Sequence, residues 1–308
     1  MNYLGYFRLK KEPFSNAPMQ EFFYSSKSHS EAILRLKYAI SSMKGLAVLT
    51  GEIGAGKTTL AKRLLTSLND QKYLAGMMIM VHSRITPIWF LKRVLALLGV
   101  NDESNEKLKL LTSLHKRLLE LNSQDIKPII LIDEAQMLQT REIMEEIRGI
   151  LNMELPHTKL ITFVLFGLKE LEENIHLDEP LAQRVAVNFK LSSLTLIATE
   201  NYIKHRLRLS GAKRMFFSKE AVEKIYYYSR GIPRLINTIC DNAMFETFIQ
   251  KKTVIDEILI KDVSLSLGLN YYLTNNHKVT NKPINTRSNV LNYKAIDDIL
   301  SDFNNKKE

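Results

Sequence analysis

The chain has 308 residues, 45% of them apolar and 25% charged, with 43 Lys/Arg against 33 Asp/Glu and one cysteine, Cys240. That length and composition describe a globular protein with one large core and room for a smaller second one. They exclude a disulfide framework and a Cys-rich metal site. The apolar runs are far shorter than the roughly 20 residues a spanning helix needs, and the first residues lack a secretory apolar core. A cytoplasmic location is therefore expected, with any membrane contact peripheral or through a partner.

The charge is unevenly placed. Residues 51–192 hold 18 basic and 18 acidic side chains, so the net +10 comes from residues 1–50 (7 against 3), 193–268 (12 against 8) and 269–308 (6 against 4). A neutral centre with basic flanks points to a polyanionic partner, nucleic acid or an anionic membrane surface; the alternative is ordinary solvated lysine faces.

In chain order, the apolar run at residues 46–50 predicts a strand, and it leads into Gly51-Glu52-Ile53-Gly54-Ala55-Gly56-Lys57-Thr58-Thr59. That is a G-x-x-x-x-G-K-T phosphate loop, followed by an amphipathic helix over 59–68. The glycines let successive N–H groups turn inward, and the helix N-terminus adds positive potential where phosphates sit. Lys57 is expected on the β/γ-phosphates and Thr58 on Mg²⁺. A strand at 77–82, helices at 88–98 and 106–121, a strand ending in Asp133-Glu134, a helix at 142–151 and a strand at 160–166 then alternate. The rhythm predicts an α/β fold of the P-loop NTPase kind, a parallel sheet with its ligand crevice at the strand C-termini. At that crevice Asp133 is expected to hold Mg²⁺ with Thr58, and Glu134 to orient and deprotonate the attacking water.

From residue 194 helical patterns dominate, at 197–209, 219–229, 234–249 and 256–267. They predict a small helical domain, giving a nucleotide-binding domain over 1–192 with an N-terminal extension, a helical lid over 193–268 and a flexible basic tail over 269–308. The cations Lys204, Arg206, Arg208, Lys213 and Arg214, with His205, form the lid's candidate polyanion cluster. Residues 293–300 carry a short amphipathic pattern that reads either as a docking helix or as an unattached end.

Several short blocks resemble the AAA+ ATPases of the general-secretion-pathway A type, with relatives in mannose-sensitive pilus biogenesis and transposon target selection. They are Phe7-Arg8-Leu9 with Glu12-Pro13-Phe14, Phe23-Tyr24 with His29, the phosphate loop, Ile132-Asp133-Glu134-Ala135-Gln136, Gln183-Arg184-Val185, Tyr202-Ile203 with His205-Arg206-Leu207, and Gly231-Ile232-Pro233-Arg234. The resemblance implies a parallel-sheet core with a C-terminal helical lid, ATP and Mg²⁺ as cofactors, and homo-oligomeric rings or spirals. Arg234 then looks like a lid sensor of the γ-phosphate, and Arg184 like a finger reaching a neighbour's nucleotide. The implied role is ATP hydrolysis driving assembly or positioning of a secretion or pilus machine. The rival is a transposition ATPase that polymerises on duplex DNA. Leu168 departs from the family, which usually has a polar residue there, so hydrolysis is expected to be slow or partner-dependent. Longer secretion members continue into a membrane span and a peptidoglycan-binding domain, and neither is read within these residues.

Overall fold

The computed structural model describes residues 3–17, 19–68, 71–156 and 158–269. Its first part is a five-stranded, all-parallel sheet whose strands in spatial order are Tyr73–Ile79 (β2), Lys127–Asp133 (β3), Thr162–Gly167 (β6), Leu46–Gly51 (β1) and Val185–Leu191 (β7). In chain order α1 (Tyr3–Tyr6) and α2 (Lys27–Ser41) precede β1 (Leu46–Gly51), α3 (Lys57–Ser67), β2 (Tyr73–Ile79), α4 (Pro87–Leu97), α5 (Lys107–Ser123) and β3 (Lys127–Asp133). Then come α6 (Arg141–Leu151), a hairpin of β4 (Glu154–Leu155) and β5 (Thr158–Lys159), β6 (Thr162–Gly167), α7 (Glu170–Ile175), α8 (Glu179–Ala182) and β7 (Val185–Leu191). The helical part is α9 (Leu196–Leu209), α10 (Lys219–Ser229), α11 (Pro233–Ile249) and α12 (Glu257–Ser266).

The central strands are apolar on both faces because helices cover both faces. Leu46, Val48, Ile130, Ile132, Phe163 and Leu165 enter the core shared with α4, α5 and α6. Their neighbours Ala47, Leu49, Ile129, Leu131, Val164 and Phe166 enter the core on the α2 and α3 side. The two-residue period of a strand makes this division.

Three features differ from the sequence reading. The second strand runs over Tyr73–Ile79 rather than 77–82, because its partner β3 ends at Asp133, which lies opposite Ile79. The fifth strand, β7, and the helix α2 are additions. β7 lies at the sheet edge with alternate residues exposed, so its side-chain pattern is weaker than that of the buried strands. The N-terminal segment, which chain order attaches to the sheet, packs elsewhere: Phe7, Leu9 and Phe14 enter the helical core beside Phe216, Phe217 and Ile225. Phe7 meets Phe216 edge-on at 4.9 Å, and Phe14 meets Phe217 at 5.9 Å. Removing apolar rings of this size from water is strongly favourable, and the lid core takes them in. The amphipathic pattern at 293–300 and the rest of the expected tail beyond Leu269 lie outside the described residues.

Candidate nucleotide-binding site

The phosphate loop leaves β1 and bends through Gly54 (φ 80°) and Gly56 (φ 101°) before α3 begins at Lys57. Both angles lie in the left-handed region, where glycine adopts them without Cβ strain. The loop is packed from behind. A Cβ on Gly56 would lie 3.0 Å from the Nε2 of His29. The His29 ring also hydrogen-bonds the Ala55 backbone, and its Nδ1 lies 2.6 Å from the Ser26 hydroxyl. Burial holds its pKa down at about 4, so the ring is neutral at pH 7.

Lys57 is buried, and its ammonium donates to the loop's own carbonyls, Gly51 O at 2.8 Å and Glu52 O at 2.9 Å. Burial pushes its pKa down, while Glu134 and Asp133 pull it up. Asp133, at the end of β3, accepts a hydrogen bond from the Thr58 side chain, and burial raises its pKa above the usual carboxylate range. Its Oδ1 has no partner among the described residues. A desolvated carboxylate oxygen left open beside a hydroxyl is a donor set suited to a hard divalent cation such as Mg²⁺.

Glu134 follows in the left-handed region at φ 53°, an uncommon conformation for a residue with a side chain. Its Oε2 accepts from Gln136 Nε2 at 2.6 Å. Gln136 is anchored in turn: its Oε1 accepts from the Leu168 backbone N–H at 3.1 Å, and its carbonyl accepts from Asn174 Nδ2 at 2.9 Å. Position 168 thus reaches Glu134 through its main chain and Gln136, although its side chain is apolar.

Lys57, Thr58, Glu134, Gln136 and Leu168 line one cleft of about 450 Å³, within the usual size for a small-molecule site, and Asp133 adjoins it through its hydrogen bond with Thr58. Residues 40–175 match the family described as AAA domain. Over 267 residues, 86% of the chain, the sequence is 32% identical to general secretion pathway protein A of Aeromonas hydrophila, and it spans 48% of that relative's length. The fold is similar to that of the Aeropyrum pernix ORC2 protein in its ADPNP and ADP complexes, with a TM-score of 0.59 at 14% identity over 83% of this chain and 71% of the other. It is equally similar to the Aeropyrum pernix ORC1 protein in complex with DNA, with a TM-score of 0.59 at 16% identity over 84% and 69%. The chain is an AAA+ protein, similar in sequence to general secretion pathway protein A.

In this AAA+ chain the helical part forms one wall of the cleft. Arg234, in the first turn of α11, lines it together with Pro233 and Asn237. The Arg234 N–H donates to Gly54 O at 3.3 Å, and a Cβ on Gly54 would lie 2.7 Å from the Cβ of Arg234. The lid therefore rests directly on the phosphate loop. Arg184 does not line the cleft; it stands before β7, where its charge lowers the pKa of Glu154 after the larger effect of Lys159.

Arg206 corrects the expected polyanion cluster. It is buried, and its guanidinium donates to Pro13 O, to Ser15 O at 3.0 Å and to the Tyr202 hydroxyl at 2.8 Å. The Tyr202 hydroxyl donates to Asn237 at 2.7 Å, and Asn237 donates to Asn16 at 3.2 Å. Arg206 is therefore a latch between the N-terminal segment and the lid at the cleft wall. Sequence reasoning gave no role to His29, Gln136 or this latch. His29 and Gln136 stand in segments that resemble the family, but nothing in their spacing states what they touch.

Proposed function

We propose that this AAA+ chain binds ATP with Mg²⁺ and hydrolyses it in an oligomer, driving assembly or positioning of a secretion- or pilus-type machine. One observation carries the chemistry: Lys57, Thr58, Glu134 and Arg234 line one cleft from three separate parts of the chain, and Asp133 is hydrogen-bonded to Thr58 beside it. Gly51 through Thr59 would cradle the phosphates, and Lys57 would exchange its loop carbonyls for phosphate oxygens. Thr58 and Asp133 would hold Mg²⁺, which supplies neutralising charge at the β/γ oxygens when bound. Glu134, oriented by Gln136, would take the proton of the attacking water, and Arg234 would report γ-phosphate occupancy to the lid. Residues 1–192 and 193–268 would act as the two parts that close on the nucleotide, and Arg184 would complete a neighbour's site in a ring or spiral.

The secretion reading rests on similarity to general secretion pathway protein A. The rival, polymerisation on duplex DNA in target selection, loses weight because Arg206 is withdrawn from the lid's basic cluster.

Lys57→Ala is expected to abolish ATP affinity in calorimetry with Mg²⁺. Glu134→Gln is expected to keep that affinity and lose phosphate release by on the order of 10² or more. Equal binding and turnover in both variants would reject the assignment.

A further inference from the structure

The end of the lid at the last turn of α11 carries exposed apolar side chains together with cations that form no ion pair among the described residues. α11 begins at the cleft with Pro233 and Arg234 and runs for 17 residues, so its last turn stands about 25 Å away. Three segments meet there. Tyr6 packs edge-on against Phe248 at 5.5 Å, and its hydroxyl donates to Lys252 O at 2.9 Å. The Lys10 N–H donates to Ser210 O at 2.8 Å, and the Lys10 side chain lies over Gly211. Arg214 Nη2 donates to Thr253 O at 3.4 Å, closing the loop after α9 onto the loop between α11 and α12.

On this end Tyr6 is 39% exposed, Phe245 43%, Ile249 53%, Val254 51% and Ile258 65%. A single exposed isoleucine requires no explanation, but five large apolar side chains on adjoining segments form a patch of the kind that marks an interaction surface. Arg8, Lys10, Lys213, Arg214, Lys251 and Lys252 are exposed among them. None of these six forms an ion pair among the described residues, whereas nearby Lys11 pairs with Glu21 and Lys204 with Glu200. Of the carboxylates nearby in sequence, Asp256 caps α12 by accepting from the Leu259 N–H, and Glu246 and Glu257 stand on α11 and α12.

We propose that this lid apex docks on an anionic lipid bilayer, the cations on the headgroups and Phe245, Ile249, Val254 and Ile258 entering the boundary between headgroups and acyl chains. Cations beside aliphatic side chains meet both requirements of an interfacial surface. A nucleic acid duplex would use the cations but offer the branched aliphatics only phosphate and water. The distance along α11 leaves the nucleotide cleft clear of the bilayer, so docking and ATP binding are compatible, and the surface stands independently of the ATPase reading.

The test is sedimentation of the full chain with vesicles containing about 30% phosphatidylserine in phosphatidylcholine, against vesicles of phosphatidylcholine alone. Binding is expected to the anionic vesicles only. Lys251→Glu combined with Lys252→Glu, and separately Ile249→Ser combined with Val254→Ser, are each expected to weaken it by on the order of tenfold or more. Both variants should keep the wild-type thermal midpoint, which excludes unfolding as the cause. Failure to bind anionic vesicles, or binding unchanged in both variants, overturns the proposal. Tighter binding to a duplex that depends on the lysines and not on Ile249 would make this a nucleic acid surface instead. Self-association lost in the Ile249 variant, with vesicles ignored, would make it an interface between copies; either result also overturns it.

Discussion

Gln136 is the residue whose side chain most directly sets the geometry of the candidate catalytic carboxylate. Its amide is held at the oxygen end by the Leu168 N–H, which leaves the nitrogen end facing Glu134. Gln136→Leu removes that donor while keeping the approximate bulk. The expected outcome is a loss of turnover of roughly 10- to 100-fold with ATP affinity unchanged, read from steady-state kinetics beside calorimetry. His29 makes a second prediction at this scale. Its folded pKa of about 4 lies below the ordinary value of 6.5, so the unfolded chain binds the proton first as pH falls. The stability contributed by the neutral ring is present above pH 6.5 and is lost between 6.5 and 4, by up to ~3 kcal/mol. A His29→Asn chain should show a flatter urea midpoint than the wild type across that window; parallel profiles would count against it.

At the scale of elements, the turn before α11 meets the connection between β7 and α9 through a contact that tolerates no side chain. Gly231, at φ 73°, has a site for a Cβ only 1.9 Å from the Leu194 carbonyl oxygen, and its own carbonyl accepts from the Leu194 N–H at 2.9 Å. The turn between α10 and α11 is thereby fixed against the strand-to-lid connection, and α11 is aimed so that Arg234 meets Gly54. Gly231→Ala must move backbone, not a flexible side-chain end. A destabilisation of about 3 kcal/mol or more in denaturant unfolding is expected, with weakened ATP binding. The motif block around Gly231 was visible in the sequence, but the close approach that demands glycine appears only when residues 194 and 231 are side by side.

For the whole molecule, Arg184 is not among the side chains that line its own cleft, and the role proposed for it is toward the nucleotide of another copy. Arg184→Ala is expected to leave ATP affinity of the dilute chain intact and to remove the rise of specific activity with protein concentration. If that rise persists as in the wild type, Arg184 is not a finger. The lid itself is a composite: Phe7, Leu9 and Phe14 from the start of the chain complete its core, and Arg206 ties the same segment down. Deleting the first residues should therefore loosen the lid before it loosens the sheet.

What the sequence determined by itself was local. The phosphate loop, the strand ending in Asp133 and Glu134, the alternation of buried strands and amphipathic helices, and the helical region after residue 194 are written in contiguous spacing, because chain geometry makes those patterns periodic. What only the tertiary structure decided depends on residues far apart in the chain meeting at one point. The packing of His29 behind Gly56, the anchoring of Gln136 by Leu168, the burial of Arg206 under Pro13 and Ser15, and the docking of β7 on β1 are of this kind. Each is set by which surfaces leave water together and which polar groups must then find partners, and one-dimensional spacing does not encode those pairings.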